Sequence, residues 1–147
     1  MRGLTVRQPW AWAIVHGGKD VENRSRNIAG TYRGAVAIQA GKALDDSAIL
    51  VPPRMSLPVD PFGIEGGLIR GAVIGVVDLV DVHNDTGWEP YGPQPCDCTS
   101  PWAEPGMWHL MLVNPRPLTL PIPWRGAQGL WTVPADLEAA IWEQVAT

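Results

Sequence analysis

Three charged side chains of different chemistry follow one another closely near the start of the chain: Lys19, Glu22 and Arg24. They come directly after Gly17-Gly18, which ends a short apolar segment. An amine, a carboxylate and a guanidinium at this spacing can bind an anion. They can also move a proton and stabilise negative charge during hydrolysis. We therefore predict that these three residues are catalytic or bind the ligand.

Lysine is rare in this chain, with two lysines, Lys19 and Lys42, against nine arginines. A desolvated amine can lose its proton and act as a base or nucleophile, whereas a guanidinium effectively cannot. The alternative is that Lys19 is a solvated turn residue. Glu22 and Arg24, two apart on one face of a strand, are alternatively a surface ion pair worth less than about 1 kcal/mol.

Arg7 and Gln8 precede Pro9, a residue that favours the first turn of a helix. The N-terminus of a helix presents backbone N–H groups and a positive dipole end, both of which favour anions. We predict that both residues contact the ligand. Gln8 would read a base edge there, or it only caps the helix.

Four further residues are predicted to contact the ligand by stacking or by charge. Trp10 and Trp12 can each stack on a base. The helical spacing places Trp10 on the inner face, where a core role competes with stacking, and places Trp12 off that face. Tyr32 and Arg33 directly precede a strand and would add a stacking and a phosphate contact.

The charge of the chain is distributed unevenly along its length. Residues 1–42 carry +5 and the remainder −9, which leaves the net charge of −4 for 147 residues. A positive region on an acidic protein indicates a local anionic ligand, such as a phosphate or a short nucleic acid strand, rather than a long duplex. The alternative is a chance sorting of solvated charges. No apolar run is as long as a membrane span, and no signal peptide is evident, so we expect a soluble cytoplasmic protein.

The two cysteines, Cys96 and Cys98, are two residues apart. That spacing is poor for a structural disulfide, so we expect free thiols. With His83 or His109 they would form a zinc site, yet structural zinc sites favour two pairs of ligands at wider spacing. We therefore expect no metal and no cofactor.

The pattern of apolar residues predicts one domain over residues 1–147, with more strands than helices and no regular βαβ alternation. Loops are predicted at residues 51–67 and 83–105 from their proline, glycine and polar content. Asp78 and Asp81 would lie on different faces of their strand, which argues against a paired-carboxylate site. The strands are predicted at residues 4–6, 21–24, 34–39, 71–82, 107–113, 118–122 (an edge strand) and 130–133, and the helices at residues 9–16, 42–50 and 134–145. This number of strands and helices indicates a mixed, curved sheet or a small barrel.

Two motifs together resemble the ASCH domain, a member of the PUA-like superfamily. The first is Leu4-x-x-Arg7-Gln8-Pro9-Trp10-Ala11, and the second is Gly18-Lys19-x-x-Glu22-x-Arg24. A strand at residues 34–39 and a GAVIGVVD-type strand follow them, so the resemblance extends over residues 4–133. It implies an α+β fold: a small mixed β-barrel with two or three flanking helices and a basic cleft beside the first helix.

The resemblance also implies a function in nucleic acid binding. ASCH domains are thought to bind RNA or ligands derived from nucleic acids. Some small members are amidohydrolases that remove the acetyl group of N4-acetylcytidine, and ribonuclease activity has been attributed to others. The lysine of the amidohydrolase motif corresponds to Lys19, whereas Glu22 stands where that branch has an active-site threonine. A downstream glutamate of that branch has no clear counterpart here, and Glu89 and Asp85 are the candidates.

These departures favour ligand binding over deacetylation. The expected partner is RNA, another single-stranded nucleic acid or a modified nucleoside. We expect no binding to a membrane. Two alternatives remain besides the amidohydrolase: a ribonuclease, and a protein-interaction module that uses the aromatic loops.

Overall fold

The computed structural model describes residues 1–45, 68–86 and 98–145. The predicted loop at residues 51–67 and much of the second loop lie outside these ranges. Among the described residues, no helix is long and apolar enough to cross a membrane. The elements are β1 (Arg2–Gln8), α1 (Trp10–His16), β2 (Val21–Arg24), β3 (Gly34–Leu44), β4 (Ala72–Asn84), β5 (Trp108–Pro123), β6 (Leu130–Thr132) and α2 (Ala135–Val145).

The six strands form one mixed sheet in the order β2-β5-β4-β3-β1-β6. The strands β1 and β3 are parallel, and every other neighbouring pair is antiparallel. This confirms the predicted mixed sheet with helices beside it. Pairing between the terminal strands β2 and β6 is absent from the described residues, so barrel closure stays a prediction.

The sheet is strongly curved, as one hydrogen bond shows. Arg24 on β2 donates an Nη2 hydrogen to the carbonyl oxygen of Thr5 on β1, at 3.0 Å. Three strands lie between β2 and β1 in the sheet. In a flat sheet that would place the two strands about 19 Å apart, beyond the reach of an arginine side chain. The sheet therefore curls until the ends of β1 and β2 face each other.

The two faces of the sheet bury two separate apolar clusters. On β3, Ile38 belongs to the cluster that includes Ile14 of α1, and its neighbour Ala37 belongs to the cluster that includes Leu137 and Ile141 of α2. This alternation is the period of two expected of a strand covered on both faces. Each helix therefore covers one face of the sheet.

Three predicted elements differ from the structure. The loop predicted from residue 83 begins later, because β4 continues to Asn84. Residues 42–44, predicted as the start of a helix over residues 42–50, continue β3 to Leu44. Residues 46–50 of that predicted helix lie outside the described residues. The predicted separate strand at residues 118–122 is the second half of the 16-residue strand β5. The pairing of β5 with β4 shifts register beside Asn114, which has φ 53°, and again after Pro117. Prolines are tolerated at such bulges. Among the described strands, this half of β5 pairs with β4 alone, so its other side has no ladder hydrogen bonds for a proline to interrupt.

The position of α1 on the sheet depends on Gly75 of β4. A Cβ atom at this position would lie 2.7 Å from Cγ1 of Val15 and 3.1 Å from the carbonyl oxygen of Arg116. Both separations are too short for a carbon atom to occupy without movement of the helix or of β5. The absence of a side chain at residue 75 thus allows α1 to pack closely, and α1 in turn carries Trp10.

We expect Gly75→Ala to lower the free energy of unfolding by about 1–3 kcal/mol, because the added methyl group overpacks the contact with Val15. Urea denaturation measures the change. The control is the pair Val15→Ala and Val15→Ala/Gly75→Ala. Because Val15→Ala vacates the space, Gly75→Ala should lower the free energy of unfolding by less in that background. If the effects of the two substitutions are additive, the contact with Val15 is not the reason that residue 75 must be glycine.

Candidate functional site

A cleft of about 740 Å³ opens beside α1. Its walls come from β1, from α1, from β2 and the residues after it, and from residues 101–105 and 127–129. Five of the predicted site residues line it together: Arg7, Trp10, Lys19, Glu22 and Arg24.

A buried ion network forms the centre of the cleft. The Nζ atom of Lys19 lies 2.9 Å from Oε2 of Glu22, and Nε of Arg24 donates to Oε1 of Glu22 at 3.1 Å. Lys19 also donates to the carbonyl oxygen of Val21. Only 6% of Lys19 and 8% of Glu22 are exposed, so this is not the solvated turn lysine or the surface ion pair of the alternative interpretation.

The local sequence explains this convergence. Gly18 has φ +75°, a left-handed conformation that favours glycine, and it turns the chain back toward α1. The N–H group of Lys19 then bonds to the carbonyl oxygen of Ala13 at 3.0 Å. In β2, the alternation of side chains places Glu22 and Arg24 together, as predicted, and buries Val21.

Two indole rings meet at right angles on the cleft wall. The ring centroids of Trp10 and Trp102 are 6.4 Å apart with an interplanar angle of 83°. The indole N–H of Trp10 donates to Oδ2 of Asp45 at 2.8 Å, and Nζ of Lys19 lies 5.8 Å from the centroid of a Trp10 ring. Trp10 is therefore half-buried between the cleft and the core, which accommodates both interpretations of its role.

The lining residues that sequence reasoning missed include Asp45, Trp102, Glu104 and Arg26. Trp102 and Glu104 are anchored through Asn23: its side-chain amide donates to the Trp102 carbonyl oxygen and accepts the Glu104 N–H, both at 2.9 Å. Nothing in the local sequence around residue 102 signals contact with β2. The aromatic content of the loop was the one available indication.

The cleft carries both signs of charge rather than a purely basic lining. The cations Lys19 and Arg24 share the carboxylate of Glu22, which offsets part of their charge. The lining contains the basic residues Arg7, Lys19, Arg24 and Arg26 and the acidic residues Glu22, Asp45 and Glu104. Arg7 and Arg26 are exposed, so the positive charge available to a ligand lies at these two side chains.

Gln8 and Trp12 do not line the cleft. The Gln8 side chain is buried: its Oε1 accepts the backbone N–H of Trp12 at 2.9 Å, and its Nε2 donates to the Ile69 carbonyl oxygen at 2.7 Å. The structure therefore shows Gln8 capping the first turn of α1, which is one of the two roles considered for it. Trp12 stacks on His16 with ring centroids 5.9 Å apart.

Tyr32 and Arg33 also lie away from the cleft lining. The Tyr32 hydroxyl donates to the Ala35 carbonyl oxygen at 2.7 Å. Arg33 donates to the carbonyl oxygens of Gly30 and Tyr32, and its Nη2 lies 3.7 Å from Oδ1 of Asp81. Both side chains make contacts around the turn before β3.

The carboxylates on β4 have separate partners, as predicted. Oδ1 of Asp78 lies 2.6 Å from Nη2 of Arg116, and its Oδ2 accepts a hydrogen bond from Asn114 at 3.0 Å. Partial burial acts to raise the pKa of Asp78, but these hydrogen bonds outweigh it and hold the pKa below its ordinary value. Asp81 contacts His83 and Arg33 instead.

Neither candidate for the downstream glutamate enters the described cleft. Asp85 is not among the lining residues, and its Oδ2 accepts the N–H of Gly106 at 3.0 Å. Glu89 lies outside the described residues. Glu104 is the carboxylate that residues 101–105 bring to the cleft.

The mixed, curved sheet with a cleft beside the first helix defines a protein of the PUA-like class. The chain belongs to the ASCH domain family, which matches residues 4–122, and this confirms the family resemblance seen in the sequence. No curated protein matches the chain.

Among solved structures, the chain is similar to a point mutant of ZmASCH from Zymomonas mobilis. The TM-score is 0.57 at 18% sequence identity, and the match covers 97% of this chain and 96% of that chain. At this identity the similarity concerns the fold.

We expect Glu22→Gln to lower the free energy of unfolding by about 3 kcal/mol, because it leaves the buried Lys19 amine without a counter-charge. Urea denaturation followed by tryptophan fluorescence measures the loss. The matched control is Glu104→Gln, an exposed position on the same cleft, which should change stability by less than about 0.5 kcal/mol. Equal effects of the two substitutions would show that the ion network does not stabilise the fold.

Proposed function

We propose that this chain binds a ligand that carries a nucleobase, either a nucleotide or one base of a single-stranded RNA, in the cleft beside α1. The observation that carries the proposal is the perpendicular pair of Trp10 and Trp102 next to the Lys19–Glu22–Arg24 network. An indole ring is a stacking surface for any base. The cleft volume of about 740 Å³ is within the range of small-molecule sites.

The distribution of charge supports a short ligand. Arg7 and Arg26 are exposed at the cleft and would contact a phosphate group, while the carboxylates in the lining would repel a long polyanion. RNA therefore binds through one or a few unstacked nucleotides.

We expect Trp102→Ala to weaken binding of cytidine monophosphate and of short single-stranded RNAs by about 10-fold or more, because it removes a stacking surface. Isothermal titration calorimetry measures the affinity. The control is Trp12→Ala, which removes an indole outside the cleft lining and should leave the affinity unchanged.

Binding should also weaken as salt increases, and Arg26→Ala should reduce that salt dependence by about one phosphate contact. The proposal fails if no nucleotide or RNA in the panel binds. It also fails if Trp12→Ala weakens binding as much as Trp102→Ala does.

Amide hydrolysis on a modified nucleoside is a second candidate, favoured by the buried Lys19 amine hydrogen-bonded to a carboxylate in the cleft. In this mechanism a water molecule activated by Lys19, or the Lys19 amine itself, attacks the acyl carbonyl carbon, and Arg24 stabilises the oxyanion that forms. The bond from that carbon to N4 then breaks, and Glu22 passes the proton taken from the nucleophile to N4, so that cytidine leaves. After direct attack, a water molecule hydrolyses the acyl-lysine and releases acetate. The acetyl group of N4-acetylcytidine is the test substrate.

If the chain is such an amidohydrolase, Lys19→Arg should abolish turnover of N4-acetylcytidine while binding remains measurable, because arginine keeps the positive charge but effectively cannot lose a proton to act as a base or nucleophile. Chromatographic detection of cytidine measures the rate. The control is Lys42→Arg, at the other lysine of the chain, which should keep the full rate. Full activity in Lys19→Arg would exclude lysine chemistry, and cleavage of RNA in the same panel would indicate a ribonuclease instead.

A further inference from the structure

A second cavity, of about 810 Å³, adjoins the cleft. Its walls come from β1, from β3, from the end of β5, from Gly71 and from residues 124–128, which we call the dividing segment. The cleft and the second cavity share three lining residues, Thr5, Ala127 and Gln128. A ligand that is too long for the cleft can therefore continue past these residues into the second cavity.

Hydrogen bonds hold the dividing segment against the sheet. The N–H group of Trp124 donates to the Gly71 carbonyl oxygen at 3.0 Å, and the Trp124 carbonyl oxygen accepts from Nε2 of Gln39 at 2.8 Å. The Gln39 side chain that makes this contact belongs to a residue only 2% exposed. The N–H group of Ala127 donates to Oγ1 of Thr5 at 3.2 Å. The boundary between the two cavities is therefore formed before any ligand binds.

Gly126 allows the dividing segment to lie this close to the sheet. A Cβ atom at this position would collide with Oγ1 of Thr5 and with Oε1 of Gln39. Arg125, directly before the glycine, is exposed and lines the second cavity. Because the backbone on both sides of Arg125 is bonded to the sheet, its guanidinium is presented from a fixed point of the chain.

The positive charge of the second cavity is not compensated. Lys42 and Arg125 line it, and no acidic residue is among the described residues of its walls. Both side chains are exposed, and in the part of the chain that the structure describes no carboxylate forms an ion pair with either cation. In the cleft, by contrast, Lys19 and Arg24 share the carboxylate of Glu22. The second cavity therefore favours an anion more strongly than the centre of the cleft does.

We propose that the second cavity binds the phosphate group of the nucleotide next to the one in the cleft, so that the preferred ligand is single-stranded RNA and not a free nucleotide. This inference rests on the function proposed for the cleft. Lys42 and Arg125 contact the phosphate oxygens, and the guanidinium can hold two of them at once. Trp124, half-buried in the same wall, offers an indole on which the second base stacks.

Two adjoining sites make affinity depend on ligand length. Once one nucleotide occupies the cleft, its neighbour reaches the second cavity without a further loss of translational freedom, so the two contacts reinforce each other. A mononucleotide gains nothing from the second cavity while it occupies the cleft. The difference in affinity between a mononucleotide and a short oligonucleotide therefore measures the second site by itself.

The test is isothermal titration calorimetry of the full chain with cytidine monophosphate and with 5′-phosphorylated tricytidylate. We expect wild type to bind the trinucleotide at least about 10-fold more tightly, which exceeds the roughly threefold gain expected from having three bases. Arg125→Ala and Lys42→Ala should each lower trinucleotide affinity by about 3- to 10-fold. Neither substitution should change the affinity for cytidine monophosphate, because that ligand occupies the cleft alone.

Two controls separate a specific contact from a change in overall charge. Arg33→Ala removes an arginine that lines neither cavity and should leave the affinity for both ligands unchanged. Lys42→Arg keeps the cation in the second cavity and should keep the trinucleotide affinity. The salt dependence should agree with these results: Arg125→Ala should reduce the salt dependence of trinucleotide binding by about one phosphate contact.

The outcomes distinguish this inference from the function proposed for the cleft. The second site is overturned if the trinucleotide binds no more than about threefold better than cytidine monophosphate. It is also overturned if Arg33→Ala weakens trinucleotide binding as much as Arg125→Ala does. Trinucleotide binding that depends on Arg125 but not on Trp102 would support the second site and contradict the cleft proposal. Absence of binding by both ligands would overturn both.

Discussion

The carboxylate of Glu22 is the point at which the first third of the chain is tied together. One of its oxygens holds the Lys19 amine of the turn after α1, and the other holds Arg24, which in turn reaches the Thr5 carbonyl oxygen on β1. A buried carboxylate requires such partners, because without them its desolvation costs several kcal/mol. The same contacts draw the edge strand β2 toward β1, and the curvature that results opens the cleft.

The segment from Cys98 to β5 connects the cleft wall to His83 and His109, whose Nδ1 atoms lie 2.7 and 3.3 Å from Sγ of Cys98. Cys98 is in a disulfide, so the expectation of free thiols is wrong. This segment is held at Asn23 on one side, where Trp102 and Glu104 bind, and at His109 on the other. It therefore connects Cys98 to the cleft wall through a few hydrogen bonds. A loop segment held on a rigid sheet is a common design for ligand sites, because the scaffold keeps the polar groups oriented.

The sequence was informative wherever structure depends on near neighbours. The helix between Pro9 and Gly17, the strand β2 and the shared face of Glu22 and Arg24 follow from local preference and from the period of two. It was misleading where a partner strand overrides local signals. Residues 42–44 extend β3, and the prolines of β5 are accommodated at register shifts against β4 rather than ending the strand.

By itself, the sequence determined the ASCH family, the mixed α+β composition and the group formed by Lys19, Glu22 and Arg24, because these depend on residues within a few positions of one another. The tertiary structure alone decided which distant residues join them. It placed Trp102 and Asp45 against Trp10, put Gln8 in a capping role, and set His83 beside His109 with Cys98. The physical reason is that strand register and sheet curvature depend on packing across the whole core, and no local pattern encodes those distances.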